Sequence, residues 1–293
     1  MLLQKIDKIM ASNGNKIGLI LGNGDLATYC MEQLFILGYQ ITILRLPCSK
    51  VKIKKNIDYI DISYEQISNG LSFLRKNNIG DIALIGYMER PVIDVSKVSQ
   101  DSKKILLKVV SSLNKGDGAI FNAVKEMFVE EKFNLLKVQD LLPELTLPSG
   151  RHGSSSVEKN TLFEIEKGIS MFNNYANLDV GQSLVIQHGH CLGMETITGT
   201  DEMIKAVINF RKIKSQEVFS GGILFKGSKP NQALDIDTPV IGPNTIMLAN
   251  KARLEGLVIE SNKVILVNKG LIFDLLKSYN MFLISTKFSN KDL

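Results

Sequence analysis

Six residues, Lys16-Ile17-Gly18-Leu19-Ile20-Leu21, form an apolar run that stops at Gly22-Asn23-Gly24. A short run with no polar alternation is what a strand buried on both faces shows. The pattern then repeats. Asp25 can cap a helix to about Leu37, and Gly38 can end it. Ile41–Leu44 reads as a second strand and Asp58–Ile62 as a third, short one. A helix from about Tyr64 to Lys76 leads to the strand Asp81–Gly86. Helices near Lys103–Leu113 and Ala119–Lys132 precede the apolar run Leu135–Val138.

This β-α-β-α order predicts a Rossmann-like N-terminal domain, a mostly parallel sheet with helices on both faces. The pattern breaks near Leu142, where Pro143, Pro148, Gly150, Gly153 and Ser154-Ser155-Ser156 read as a linker. Beyond it the style changes. A helix over about Val157–Tyr175 is followed by two extended runs around His188-Gly189, a hairpin pattern. A helix over Thr200–Arg211, the strand Ile223–Phe225 and a helix near Asn244–Leu254 come next. Leu257–Glu260 and Val264–Val267 flank Ser261-Asn262 as a second hairpin. A helix (Leu271–Tyr279) and the strand Phe282–Ile284 close the chain. The expected class is α/β. Residues 14–142 form the parallel-sheet domain, 143–156 a linker, and 157–287 an α/β domain with a mixed sheet.

At 293 residues there is room for two such domains. No apolar run approaches the roughly 20 residues of a membrane span. The first ten residues lack the apolar core of a signal peptide. Cys30, Cys48 and Cys191 are widely spaced, so a disulfide framework is not expected and a reducing cytoplasm fits. Lys50, Lys52, Lys54 and Lys55 make a basic cluster, either a solvated face or an attraction to an anionic surface. No tryptophan is present and no aromatics interleave with these lysines, which argues against nucleic acid.

Several segments could carry chemistry. Gly22-Asn23-Gly24-Asp25-Leu26-Ala27 fits a relaxed Gly-x-Gly-x-x-Ala turn for phosphate. However, the second strand ends at Arg45 without the acid that holds a ribose hydroxyl, and only NADP would suit Arg45. Gly86 and Arg90 follow a strand end, where Arg90 could grip phosphate or join a surface ion pair. Asp117 opens a helix and suits an N-cap. Gly199, Thr200 and Asp201 join a strand to a helix, as an anion site or a capping turn. His152, His188 and His190 read as surface residues. The richest segment is Lys226–Pro243, a polar loop after a strand. Its Lys226 and Lys229 could neutralise phosphate charge, and its Asp235 and Asp237 could hold a hard cation.

In this order, Gly22-Asn23-Gly24-Asp25-Leu26, Gly86 with Arg90-Pro91, Gly116-Asp117, Asp179–Gln187, Gly199-Thr200-Asp201 and Lys226–Pro243 resemble the LpxI-type UDP-2,3-diacylglucosamine diphosphatases of lipid A biosynthesis. The resemblance runs from about Lys16 to Ser285. It implies hydrolysis of UDP-2,3-diacylglucosamine to UMP and 2,3-diacylglucosamine 1-phosphate (lipid X) by water, with a divalent cation, typically Mg2+. It places the essential aspartate on Asp237; if Ala233 removes a metal ligand, Asp235 would replace it from a shifted position. Lys226, Lys229, Gln232 and Thr200 would meet phosphate or sugar oxygens. Gly22, Gly24, Asp25, Gly86, Arg90, Asp117, Gly199 and Asp201 would also face the substrate. A lipid-linked substrate implies transient contact with the cytoplasmic face of the inner membrane, and the family implies a homodimer. The chain departs from the family pattern at Asn23, Gly118, Thr198, Ala233, Leu234 and Asp235. The alternatives are a non-catalytic binder of a UDP-sugar or lipid phosphate, and an NADP-dependent oxidoreductase.

Overall fold

The computed structural model describes residues 15–88, 92–114, 117–153, 157, 159–178, 180–213, 220–230 and 236–288. They fall into two units. The first runs to Pro143 and also takes in Ile236 and Asp237; the second holds Glu144 onward and Thr238 onward.

In the first unit, β1 (Lys16–Leu21), β2 (Gln40–Arg45), β3 (Asp58–Asp61), β4 (Asp81–Ile85) and β5 (Asn134–Leu135) build an all-parallel sheet. Its order is β3-β2-β1-β4-β5. The continuous apolar runs are therefore central parallel strands, as their lack of alternation requires. The chain moves outward from β1 to β2 and β3, then crosses back to β4 on the other side of β1. Right-handed crossovers in opposite directions put their helices on opposite faces, so the β1–β4 boundary is the topological switch point. The helices are α1 (Asp25–Ile36), α2 (Ile67–Lys76), α3 (Gln100–Ser112), α4 (Asp117–Glu130) and the short α5 (Val138–Leu141). One core joins Ile20, Leu44, Ile82 and Leu84 of the sheet to Leu71 and Leu74 of α2, Leu106 and Val109 of α3 and Met127 of α4; Ile236 packs against it. The cap of α1 differs from the expectation. Gly24, at φ 102°, is the N-cap and Asp25 is the first helical residue, with no side chain capping the helix.

In the second unit, the six-stranded sheet has the order β6-β13-β11-β9-β7-β8. Its strands are β6 (Gly150–Arg151), β7 (Ser183–Gln187), β8 (His190–Met194), β9 (Ile223–Lys226), β11 (Gly256–Glu260) and β13 (Phe282–Thr286). The central β9, β11 and β13 are parallel, while β6, β7 and β8 pair antiparallel. Successive residues alternate between two cores. Leu224, Leu257, Ile259 and Leu283 join Ile204 and Val207 of α7 (Thr200–Ile213), Ile246 of α8 (Pro243–Lys251) and Ile272 of α9 (Lys269–Ser278). Ile223, Phe225, Val258 and Phe282 join Ile169 and Phe172 of α6 (Lys159–Ala176). A parallel-sheet domain followed by a mixed α/β domain is thus the observed class, as expected.

The His188-Gly189 hairpin is also observed. Both residues have positive φ, 49° and 75°, the mirror-image turn that matches strand twist. The β7–β8 register shifts between Val185 and Ile186. The second hairpin is not observed. Leu257–Glu260 lies in β11 between two parallel neighbours, whereas β12 (Ile265–Leu266) pairs in parallel with β10 (Val240–Ile241) in a separate ladder. Every residue of β11 and β12 is buried. A solvent-facing hairpin would need one polar face, which neither run has.

Candidate functional site

In open α/β sheets, ligands sit outside the carboxyl ends of the parallel strands. Each unit has such an edge. In the first, the edge is made of backbone. Asn23 and Tyr87 exchange N–H···O=C bonds, both 2.8 Å, just past the ends of β1 and β4. Gly22 N–H donates to Ile85 O at 2.9 Å. A Cβ on Gly22 would lie 2.3 Å from Tyr87 O. Gly86 has φ 95°, and a Cβ there would lie 2.7 Å from Asn23 O. Only glycine allows this close crossing. Gly24 and Asp25 are exposed beside it. Arg45, at the end of β2, is bound in a fork to Asp61 at 2.5 and 2.9 Å and donates to Val51 O. That bond raises the Arg45 pKa and holds the Asp61 carboxyl below its ordinary value. Arg45 thus has a carboxylate partner on β3, where the NADP reading would have it meet a 2′-phosphate.

In the second unit, the edge is made of buried side chains. Because β7 runs antiparallel to β9, its first residue, Ser183, stands beside Lys226 at the end of β9. Glu195 follows β8 and donates its N–H to Ser183 O. Four side chains then close on one another. Lys226 Nζ donates to Thr200 Oγ1 at 2.6 Å and to Glu195 Oε2 at 3.2 Å. Thr200 Oγ1 donates to the same Glu195 oxygen at 2.8 Å, and Ser183 Oγ lies 3.2 Å from Thr200 Oγ1. Ser183, Glu195 and Lys226 are buried. Such a pair persists only where hydrogen bonds replace water on both charges. Tyr175 of α6 donates its phenol to Glu195 O, and Gly181 makes this possible, since a Cβ there would lie 2.0 Å from the phenol oxygen. Burial, with the nearby Glu195 charge, pushes the Tyr175 phenol up.

Beside this cluster, Asp201 accepts from Asn244 Nδ2 at 2.6 Å and Thr245 Oγ1 at 3.0 Å, tying the first turn of α7 to that of α8. Gly199 takes φ 86° and opens α7. Glu260, at the end of β11, accepts from Ser228 N and Oγ and from Lys263. Lys229 and Asp237 are half-buried, and each has a partner. Arg90, Gln232 and Asp235 lie outside the described residues, as does the side chain of Asp117.

Of the expected residues, Thr200 and Lys226 come together, as do Gly22 and Gly86; Asp201 instead joins two helices. His188 and His190 are exposed, while half-buried His152 holds Pro148 O at 3.0 Å. Sequence reading gave no role to Tyr175, Glu195 and Glu260, and took in Ser183 only as part of the Asp179–Gln187 run. Glu195 stands just before the Gly199-Thr200-Asp201 turn, but its partner Lys226 lies 31 residues on.

Comparison with known proteins follows the same two-part division. Residues 16–145 match the LpxI N-terminal domain and residues 148–284 the LpxI C-terminal domain. The chain is 28% identical over 257 residues to the UDP-2,3-diacylglucosamine pyrophosphatase LpxI of Caulobacter vibrioides, covering 87% of this chain and 91% of that one. With both domains matched in order over nearly its whole length, this chain belongs to the LpxI family.

Proposed function

We propose that the protein hydrolyses the diphosphate of UDP-2,3-diacylglucosamine, releasing UMP and lipid X, in lipid A biosynthesis. The observation that carries this reading is the ordered match of both LpxI domains, with a relative of that activity aligned over 91% of its length. Two strand-end edges with phosphate-suited chemistry support it.

In this reading Asp237 takes up the proton of the attacking water or holds it in line. Water adds to phosphorus as the P–O–P bridge breaks, and the leaving phosphate carries away the negative charge. The Lys226 ammonium is fixed by Glu195 and Thr200, so it offers a positive charge that need not reorganise during reaction. Lys229, three residues on, adds a second cation to the same loop. Magnesium suits this donor set, because it is commonly held by one or two carboxylates together with substrate phosphates. Asp237 would hold it, with Asp235 as a second carboxylate, and when bound it would offset charge on the diphosphate. Among the described residues no group of three His, Cys, Asp or Glu could hold a metal alone, and a site shared with the substrate requires none. The lipid tails would bring the protein to the cytoplasmic face of the inner membrane. No helix among the described residues is long and apolar enough to cross a membrane.

The test is UMP release from UDP-2,3-diacylglucosamine, with and without magnesium, by the native chain and Asp237→Ala. Metal-dependent turnover, reduced on the order of 10²–10⁴-fold in the variant, is expected. Full turnover in Asp237→Ala would remove Asp237 from the chemistry. Tight substrate binding without UMP release by the native chain would sink the hydrolase and leave a binding protein.

A further inference from the structure

Three consecutive apolar side chains stand in the open at the end of α1. Leu34 is buried, but Phe35, Ile36 and Leu37 are 39%, 69% and 56% exposed. The helix closes at this point. Gly38, at φ 83°, donates its N–H to Phe35 O at 3.1 Å, and Tyr39 N donates to Leu34 O at 3.0 Å. Single exposed apolar residues are ordinary, whereas a run of three marks a surface with something to meet.

A basic loop lies against this tip. Between β2 and β3, Lys50, Lys52, Lys54 and Lys55 are all exposed. The loop that shows them is anchored. Val51 and Ile57 are buried, Arg45 Nη1 donates to Val51 O at 3.1 Å, and Ile57 N donates to Lys54 O at 3.1 Å. Lys54 Nζ sits 5.1 Å from the centre of the Phe35 ring, so the charges and the apolar tip form one surface. Toward the start of the loop, Lys50 N donates to Asn23 Oδ1 at 3.3 Å, beside the crossing of Gly22 and Gly86. The basic strip thus runs from the strand-end edge of this unit to the tip of α1. Among the described residues, none of the four lysines is in an ion pair. Of the acids near the tip, Glu32 is half-buried, and Asp58 shares a cleft with Phe35 and Lys16.

We propose that the tip of α1 and the Lys50–Lys55 loop dock on an anionic lipid surface, with Ile36 and Leu37 entering the acyl boundary and the lysines meeting headgroup phosphates. Apolar side chains flanked by several lysines suit that boundary, where burial and attraction to anionic lipid act together. A nucleic acid would match the lysines but give Ile36 and Leu37 nothing to enter. Such docking would bring the chain to a lipid-linked substrate, and it rests on the proposed hydrolysis only for that purpose.

The experiment sediments the full chain with vesicles of phosphatidylethanolamine and phosphatidylglycerol, and with vesicles of phosphatidylcholine alone. Binding to the anionic vesicles, weakened by salt, is expected. Ile36→Ser with Leu37→Ser should weaken it on the order of a hundredfold, about tenfold for each side chain. Lys54→Gln with Lys55→Gln should weaken it about 25-fold, at about fivefold for each lysine. All four residues are exposed, so Tm should stay at its native value in both double variants. Leu107→Ser, at an exposed apolar residue of α3, should bind as the native chain does. No vesicle binding by the native chain would overturn the proposal. Native binding in both double variants would also overturn it, because the contact would then lie on another face. Loss in the lysine pair alone would remove the apolar tip, and equal binding to phosphatidylcholine would remove the lysines; either result overturns the joint surface. UMP release from substrate dispersed in detergent separates this surface from the chemistry, and both double variants should match the native chain there. A native chain that binds vesicles but releases no UMP would sink the hydrolase reading and leave the docking surface standing.

Discussion

The two strand-end edges solve one problem with different materials. In the first unit, β1 and β4 end in Gly22-Asn23 and Gly86-Tyr87, and backbone meets backbone with no room for a Cβ. In the second, β7, β9 and the residue after β8 end in Ser183, Lys226 and Glu195, and the closure is made by charged and hydroxyl side chains. A backbone edge is broken by adding atoms. A side-chain edge is broken by removing them, because what remains is a buried charge without its partner.

That contrast can be broken most severely at Glu195. Glu195→Ala leaves Lys226 buried and uncompensated, and a loss of about 3–5 kcal/mol is expected by urea denaturation. The double variant Glu195→Leu with Lys226→Met should recover most of that loss in stability while still failing to turn over substrate. If the double variant is as unstable as the single one, the cost lies in packing and the charge argument is wrong. Gly22→Ala comes next. Its Cβ would meet Tyr87 O at 2.3 Å, so the bridge must open, at a cost of about 2–3 kcal/mol. A crystal structure of this variant with the Asn23–Tyr87 bonds intact would count against the backbone reading. The smallest effect is at Tyr175→Phe, about 1 kcal/mol for one buried hydrogen bond at neutral pH. The folded pKa of Tyr175 is raised above its ordinary 10.0. Its contribution is therefore fully present below pH 10 and is lost as pH rises toward the folded value. Native and variant stability curves should converge above pH 10; parallel curves there would show that Tyr175 does not titrate with unfolding.

The first unit was largely legible because buried parallel strands announce themselves as unbroken apolar runs. Lys16–Leu21 and Asp81–Ile85 were placed nearly to the residue. The same property misled the reading of Leu257–Glu260 and Val264–Val267. Two apolar runs around Ser261-Asn262 look like a hairpin when only local spacing is read, and nothing local reveals that each pairs with a strand far along the chain. The charged cluster was hidden for a related reason. Lys226 was singled out for phosphate, but its partner Glu195 lies beyond another strand and local spacing does not show it. The Gly-rich turn was read for phosphate, and its spacing could not show the further constraint on Gly22, the crossing with Gly86-Tyr87, which brings together residues more than sixty positions apart. Sequence order, by contrast, carried the family resemblance, which spans both units.

The mixed sheet also has its borders. On one side, among the described residues, β13 is paired with the two-residue strand Gly150–Arg151, running antiparallel, with His152 N bound to Leu283 O. On the other, β8 carries the register shift against β7. Short outer strands and local twists are how open sheets avoid recruiting another chain. Chains that begin after Gly153 would lack this cover and leave the backbone groups of Leu283–Ser285 on that side unpaired. Their failure would show first as fibrils or insoluble protein, before any change in chemistry could be measured.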